Sequence, residues 1–154
     1  MSNAIRIDTG IREFPVTDSE GNVLTTVRMN PTDMNFVELV FDALEDIDRM
    51  YTGYHKEAER IGKIEDDKEA GIQMFDLGRN ADTQIREKIN NLFGRDLCTE
   101  IIGTMSILTP AEGFPLWANI IFGFIDLFDS KLVEEKQKQN PRIEKYTKKY
   151  SRKR

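Results

Sequence analysis

A chain of 154 residues, 39% of them hydrophobic and 32% charged, has the length of one domain and a composition outside the disordered and membrane-embedded classes. Its net charge of −5 conceals an asymmetry: residues 131–154 carry ten Lys/Arg against three Asp/Glu, and residues 1–130 carry twelve against twenty-four. An acidic body joined to a basic tail points to charged partners, to self-association between body and tail, or to both.

The first thirty residues read as β structure. Ile5-Arg6-Ile7-Asp8 and Phe14-Pro15-Val16-Thr17 alternate apolar and polar side chains, and Val23 to Met29 is rich in β-branched residues. Turn formers Asp18-Ser19-Glu20-Gly21-Asn22 join the last two stretches, so a hairpin is predicted, with Ile5–Asp8 as a possible third strand. Pro15, which lacks a backbone N–H, assigns its strand to an edge.

Asn30-Pro31-Thr32-Asp33 marks a boundary, where Thr32 or Asp33 can cap a helix. Apolar residues then recur at Val37, Val40/Phe41, Leu44, Ile47, Tyr51, Tyr54, Ala58 and Ile61, a helical spacing that Gly62 ends. The acidic run on this helix, Glu38 to Asp48, reads either as a solvated face or as a docking surface for a basic partner. A second helix follows Asp66-Asp67, with Met74, Leu77, Ala81, Ile85, Ile89 and Leu92 on one face and Gly94 as its stop. The short connection predicts an antiparallel helical hairpin. Asp96 can cap a short third helix, Leu97 to Ile102.

Thr109 to Phe114 reads as a loop, and Pro115 as the first residue of a last helix. Residues 116–128 of that helix are apolar nearly all round, with Asn119 and Asp126 interrupting, and too short for the ~20 residues that span a bilayer. A surface helix needs an apolar stripe only about 100° wide. This one is therefore central to the bundle, presents one side to a partner, or does both; Trp117, Ile120, Ile121, Phe124 and Phe128 are the candidate contact residues. Asn140-Pro141 breaks the helix. The tail beyond interleaves Tyr146 and Tyr150 with Lys145, Lys148, Lys149 and Arg152, a pattern suited to a solvated end, an acidic protein surface or nucleic acid.

The fold expected is mainly α, in an α+β arrangement: a hairpin region at 1–30, a bundle of about four helices at 31–139, and a basic flexible tail at 140–154, together one domain. Chemistry is sparse. His55, the single histidine, has no nucleophile turn to serve and reads as a solvent-facing residue. Cys98, the single cysteine, has no CxxC partner and reads as a small buried apolar side chain. Neither a phosphate-binding glycine loop nor a calcium loop is present in the sequence. No catalytic residue, cofactor or metal is expected, and with no apolar leader segment the protein is expected to be soluble and cytoplasmic.

Several short phrases carry a resemblance. Ile5-Arg6-Ile7-Asp8-Thr9-Gly10, Asn30-Pro31-Thr32-Asp33, Pro115-Leu116-Trp117-Ala118-Asn119 and the stretch from Asn140-Pro141-Arg142 to Lys149, together with the long acidic helix, resemble phage and prophage proteins of Firmicutes. These in turn resemble the tail-assembly chaperones of long-tailed phages. The resemblance implies a small helical oligomer in the host cytoplasm that coats the tape-measure protein, keeps it soluble and recruits tail-tube subunits. It supplies no residue-level motif. The N-terminal hairpin leaves a minor structural protein of the particle open as an alternative, and the basic tail leaves open a small nucleic-acid-binding regulator.

Overall fold

The computed structural model describes residues 3–138, 142–143 and 145–146. Strand β1 (Arg12–Thr17) pairs antiparallel with β2 (Val23–Met29), from Arg12 opposite Met29 to a bulge between Val16 and Thr17. Asp18 builds the turn by accepting from the backbone N–H groups of Glu20 and Asn22, both at 2.9 Å. The hairpin sends Val27 and Met29 into the common core.

Ile5–Asp8 forms no third strand. Ile5 is 88% and Ile7 75% exposed, so their alternation faces solvent and gains nothing from pairing. The segment turns away at Gly10, whose φ is +73°, and Asn30 holds it by donating from Nδ2 to the Thr9 carbonyl at 2.9 Å.

Helix α1 (Met34–Gly62) starts where Asp33 accepts from the N–H of Asn35. Of the adjacent pair Val40/Phe41, the core takes Val40, with Ala43, Ile47 and Ile61. Helix α2 (Asp67–Phe93) is capped by Asp66, and Gly94 closes it in the left-handed conformation at φ +65°. Arg60 reaches Gln73 and Lys88 reaches Asp46, so α1 and α2 run antiparallel, as the short connection predicts. Ile85 and Ile89 of α2 are fully buried. Helix α3 (Leu97–Ile102) begins at Asp96, which accepts from Thr99.

The stretch read as a plain loop contains a second, minimal ladder. Strands β3 (Pro110–Ala111) and β4 (Phe114–Pro115) pair antiparallel around Glu112 and Gly113, with φ of +55° and +81°. Two positive φ values in a two-residue connection define the turn type whose twist matches a hairpin. Helix α4 (Leu116–Gln137) follows directly. Pro115, in extended conformation, sits just outside the helix as its cap position, so the helix starts one residue later than the sequence suggested.

The core unites both sides of the chain. Phe36 packs edge-on against Phe93 and Phe128, at centroid distances of 5.5 and 5.9 Å, and Phe93 meets Phe124 at 4.9 Å. The fold is mainly α with an N-terminal hairpin. Among the described residues no helix is long and apolar enough to cross a membrane.

Candidate protein-docking cleft

The fate of α4 decides where a docking surface can lie. Trp117, Ile121, Phe124 and Phe128 are buried in the chain's own core, and Ile120 is half-buried against it. These side chains pack into the domain's own core, and Trp117 among them also lines an open cleft. The apolar character of α4 reflects its neighbours: α1, including Phe36, along its length, Phe93 at the end of α2 against Phe124, and the β3–β4 turn at its start. Of the tail residues, Lys145 is exposed, while Lys148, Lys149 and Arg152 lie outside the described residues.

The exposed apolar surface is elsewhere. Between α1 and the β4–α4 junction runs an open cleft of about 620 Å³. Phe41, Leu44 and Tyr51 line it from α1, and Phe114, Trp117 and Phe122 from the other wall. Phe41 remains 45% and Phe114 51% exposed, although each is a large aromatic side chain. At half exposure each forfeits roughly half of the 1.5–3 kcal/mol that full burial contributes.

Local chemistry explains why they stay out. Helical spacing places Phe41 one position beyond Val40, off the buried stripe. The β3–β4 turn fixes Phe114, which stacks edge-on against Phe122 at 5.5 Å. That turn is held in place by Asn119, donating from Nδ2 to the Ala111 carbonyl at 2.9 Å, and by the Leu116 and Trp117 N–H groups bonded to Thr109 and Ile107. The wall is thus built by backbone geometry.

The rim is acidic. Asp42, Glu45 and Asp48 follow one another along α1 beside the aromatic floor, and no Lys or Arg lines the cleft. Glu45 approaches Arg49 at 3.9 Å, a distance that contributes little at the surface. Asp42 and Asp48 form no ion pair with a described residue. The acidic run read from sequence as a face or a docking surface therefore borders an apolar groove.

Trp117 adds a polar handle. Its Nε1–H is buried without an acceptor, although the indole lines the cleft. An unpaired buried donor costs about 1–3 kcal/mol.

The remaining candidates are structural. His55 is exposed and sits edge-on to Tyr51 at 4.4 Å. Cys98 is fully buried, its N–H bonded to Asn90 Oδ1 at 2.9 Å, and burial pushes its thiol up to about 12. Arg86, which the sequence did not single out, is a latch. Its guanidinium donates to Asp82 at 3.0 Å and to the carbonyls of Gly103 and Met105, while Asp82 accepts from the Ile107 N–H at 2.7 Å. It fixes the segment leading into the cleft wall. A second, more polar cleft, near Arg28, Asn30 and Arg95, lies where the hairpin joins the bundle, and Arg95 there is committed to Glu100 at 2.7 Å and to the Thr26 carbonyl.

Compared with family models, with curated proteins and with solved structures, the chain matches none.

Proposed function

We propose that the protein is a non-catalytic assembly chaperone, which binds the tape-measure or tail-tube protein of a long-tailed phage while the tail is built. The observation that carries the reading is the aromatic cleft with three carboxylates on its rim. An aromatic floor and a charged edge recognise an amphipathic helix with apolar anchors and basic flanks. A tape-measure protein is a long helix, and its apolar face needs cover before the tube encloses it. The phage setting comes from the resemblance in the phrases around Gly10, Asp33, Pro115 and Pro141.

The test is co-expression with a fragment of the tape-measure protein of the same genome. The wild-type chain keeps the fragment soluble and co-purifies with it, and the exposed substitution Phe114→Asp abolishes both effects. A fragment that precipitates beside the wild-type chain overturns the reading.

One observation favours a second reading, that of a minor structural protein of the particle. Sheet β1–β2 has two strands only, so each has an outer edge without a strand partner among the described residues. Retention in purified particles is its signature. A nucleic-acid role is opposed by the carboxylates along α1, which repel phosphate.

A further inference from the structure

The chain itself contains a segment with the chemistry that the cleft selects. Residues 139–154 carry seven Lys/Arg and one Glu. Within them Ile143, Tyr146 and Tyr150 stand at i, i+3 and i+7, the spacing of one helical face that anchors in a groove. Of these, Ile143 is 78% and Tyr146 45% exposed, which leaves apolar area on both for a partner to cover.

Reach decides which molecule supplies the segment. Along α4, Phe122 stands about 22 Å and Trp117 about 30 Å back from Gln137, at 1.5 Å per residue. With residues 138–141 fully extended and a helix after them, Ile143 comes within about 16 Å of Gln137 and Tyr146 within about 21 Å. Tyr150 reaches about 27 Å, past the level of Phe122, but Ile143 stays well short of it, so the three anchors cannot seat together in the cleft of the same molecule.

We propose that the acidic aromatic cleft of one copy binds the basic Ile143/Tyr146/Tyr150 segment of a second copy. The anchors cover Phe41 and Phe114, and the basic side chains face Asp42, Glu45 and Asp48. The contact joins two different surfaces, so it is heterologous and propagates from copy to copy into a ring or an open chain. It deepens the reading of the cleft as a helix-binding site, since the tail then occupies that site until a client displaces it.

The test uses full-length chains and light scattering. The wild-type protein increases in mass with concentration beyond the 17.8 kDa of one copy, and salt reverses the increase. A cleft variant, Asp42→Lys/Glu45→Lys, and a tail variant, Ile143→Ser/Tyr146→Ser/Tyr150→Ser, each stay at one copy when alone. The cleft positions and the two described tail positions are exposed, and circular dichroism checks that both variants remain folded. Mixed in equal amounts, the two variants give twice the mass and nothing larger, because one retains a tail and the other a cleft. A wild-type chain that stays single up to high concentration overturns the proposal. So do variants that associate like wild type, and a mixture that fails to pair. Client binding by the tail variant is scored separately. Its persistence with no wild-type self-association removes this inference alone, whereas its loss with self-association intact removes the chaperone reading alone.

Discussion

The Trp117 indole meets the Tyr51 ring edge-on, with centroids 5.4 Å apart and planes at 70°, and so joins α4 to α1 at the floor of the acidic cleft. The pair ties the core to the proposed binding surface. Trp117→Phe keeps an aromatic ring against Tyr51 and removes the unpaired N–H. Its cost in chemical denaturation is expected to stay within about 1.5 kcal/mol, whereas Trp117→Ala costs about 3–5 kcal/mol. Equal losses for the two variants would contradict the expectation that an aromatic ring against Tyr51 suffices here.

Arg86 provides the second prediction. Its fork reaches Asp82 and two backbone carbonyls, at positions 103 and 105, that no lysine can serve together. Its side chain is only 15% exposed, so loss of the latch leaves the part-buried Asp82 carboxylate and Gly103 carbonyl short of a donor. Arg86→Lys is expected to destabilise the chain by about 1–3 kcal/mol, and Arg86→Ala by at least as much. Hydrogen exchange checks the location: amide protection at Ile107 falls first, since Asp82 accepts its N–H.

Gly10 and Asn30 give a third. A Cβ on Gly10 would come within 2.5 Å of Asn30 Nδ2, and the φ of +73° strains any L side chain there. Gly10→Ala is expected to cost about 1–2 kcal/mol in thermal or chemical unfolding. The same variant breaks the bond from Asn30 to the Thr9 carbonyl and frees residues 3–9, which limited proteolysis detects.

Cys98 gives a pH dependence with a definite sign. Burial lifts its thiol from the ordinary 9.0 to about 12, so the unfolded chain releases this proton at lower pH than the folded one. The stability linked to it is fully present below pH 9 and is lost as pH rises toward 12. Native protein is expected to resist thiol reagents at pH 8 and to react once denatured. Rapid labelling of the native chain would contradict the burial.

Much of this architecture is legible in the residues because its signals are local. Asp33, Asp66 and Asp96 accept from N–H groups two or three positions ahead, and Gly94 takes the left-handed conformation that glycine permits, so the helix ends follow from neighbouring chemistry. Long-range relations were less readable. Ile5-Arg6-Ile7-Asp8 alternates like a strand, yet pairing needs an edge that the tertiary fold does not bring to it. An all-round apolar helix carries no stripe, so the pattern of α4 is equally compatible with burial and with a partner interface; only the fold shows that Trp117 and Phe128 are buried in the chain's own core. The cleft depends on Phe41, one position off the buried face, and on Phe114, which faces it from 73 positions further along. Only the acidic run Glu38–Asp48 signalled that side of the molecule in advance. Arg86 was invisible for the same reason: its carbonyl partners lie 17 and 19 residues away.

The central claim is that the cleft binds a basic amphipathic helix, and Trp117, the only tryptophan in the chain, reports on it directly. The decisive measurement is the emission of Trp117 as a cationic, amphipathic helical peptide is titrated into the full-length protein. The account predicts a saturable change that weakens as salt rises and disappears in Asp42→Lys/Glu45→Lys/Asp48→Lys. An unchanged spectrum, or the same change in the charge-reversed variant, would contradict it.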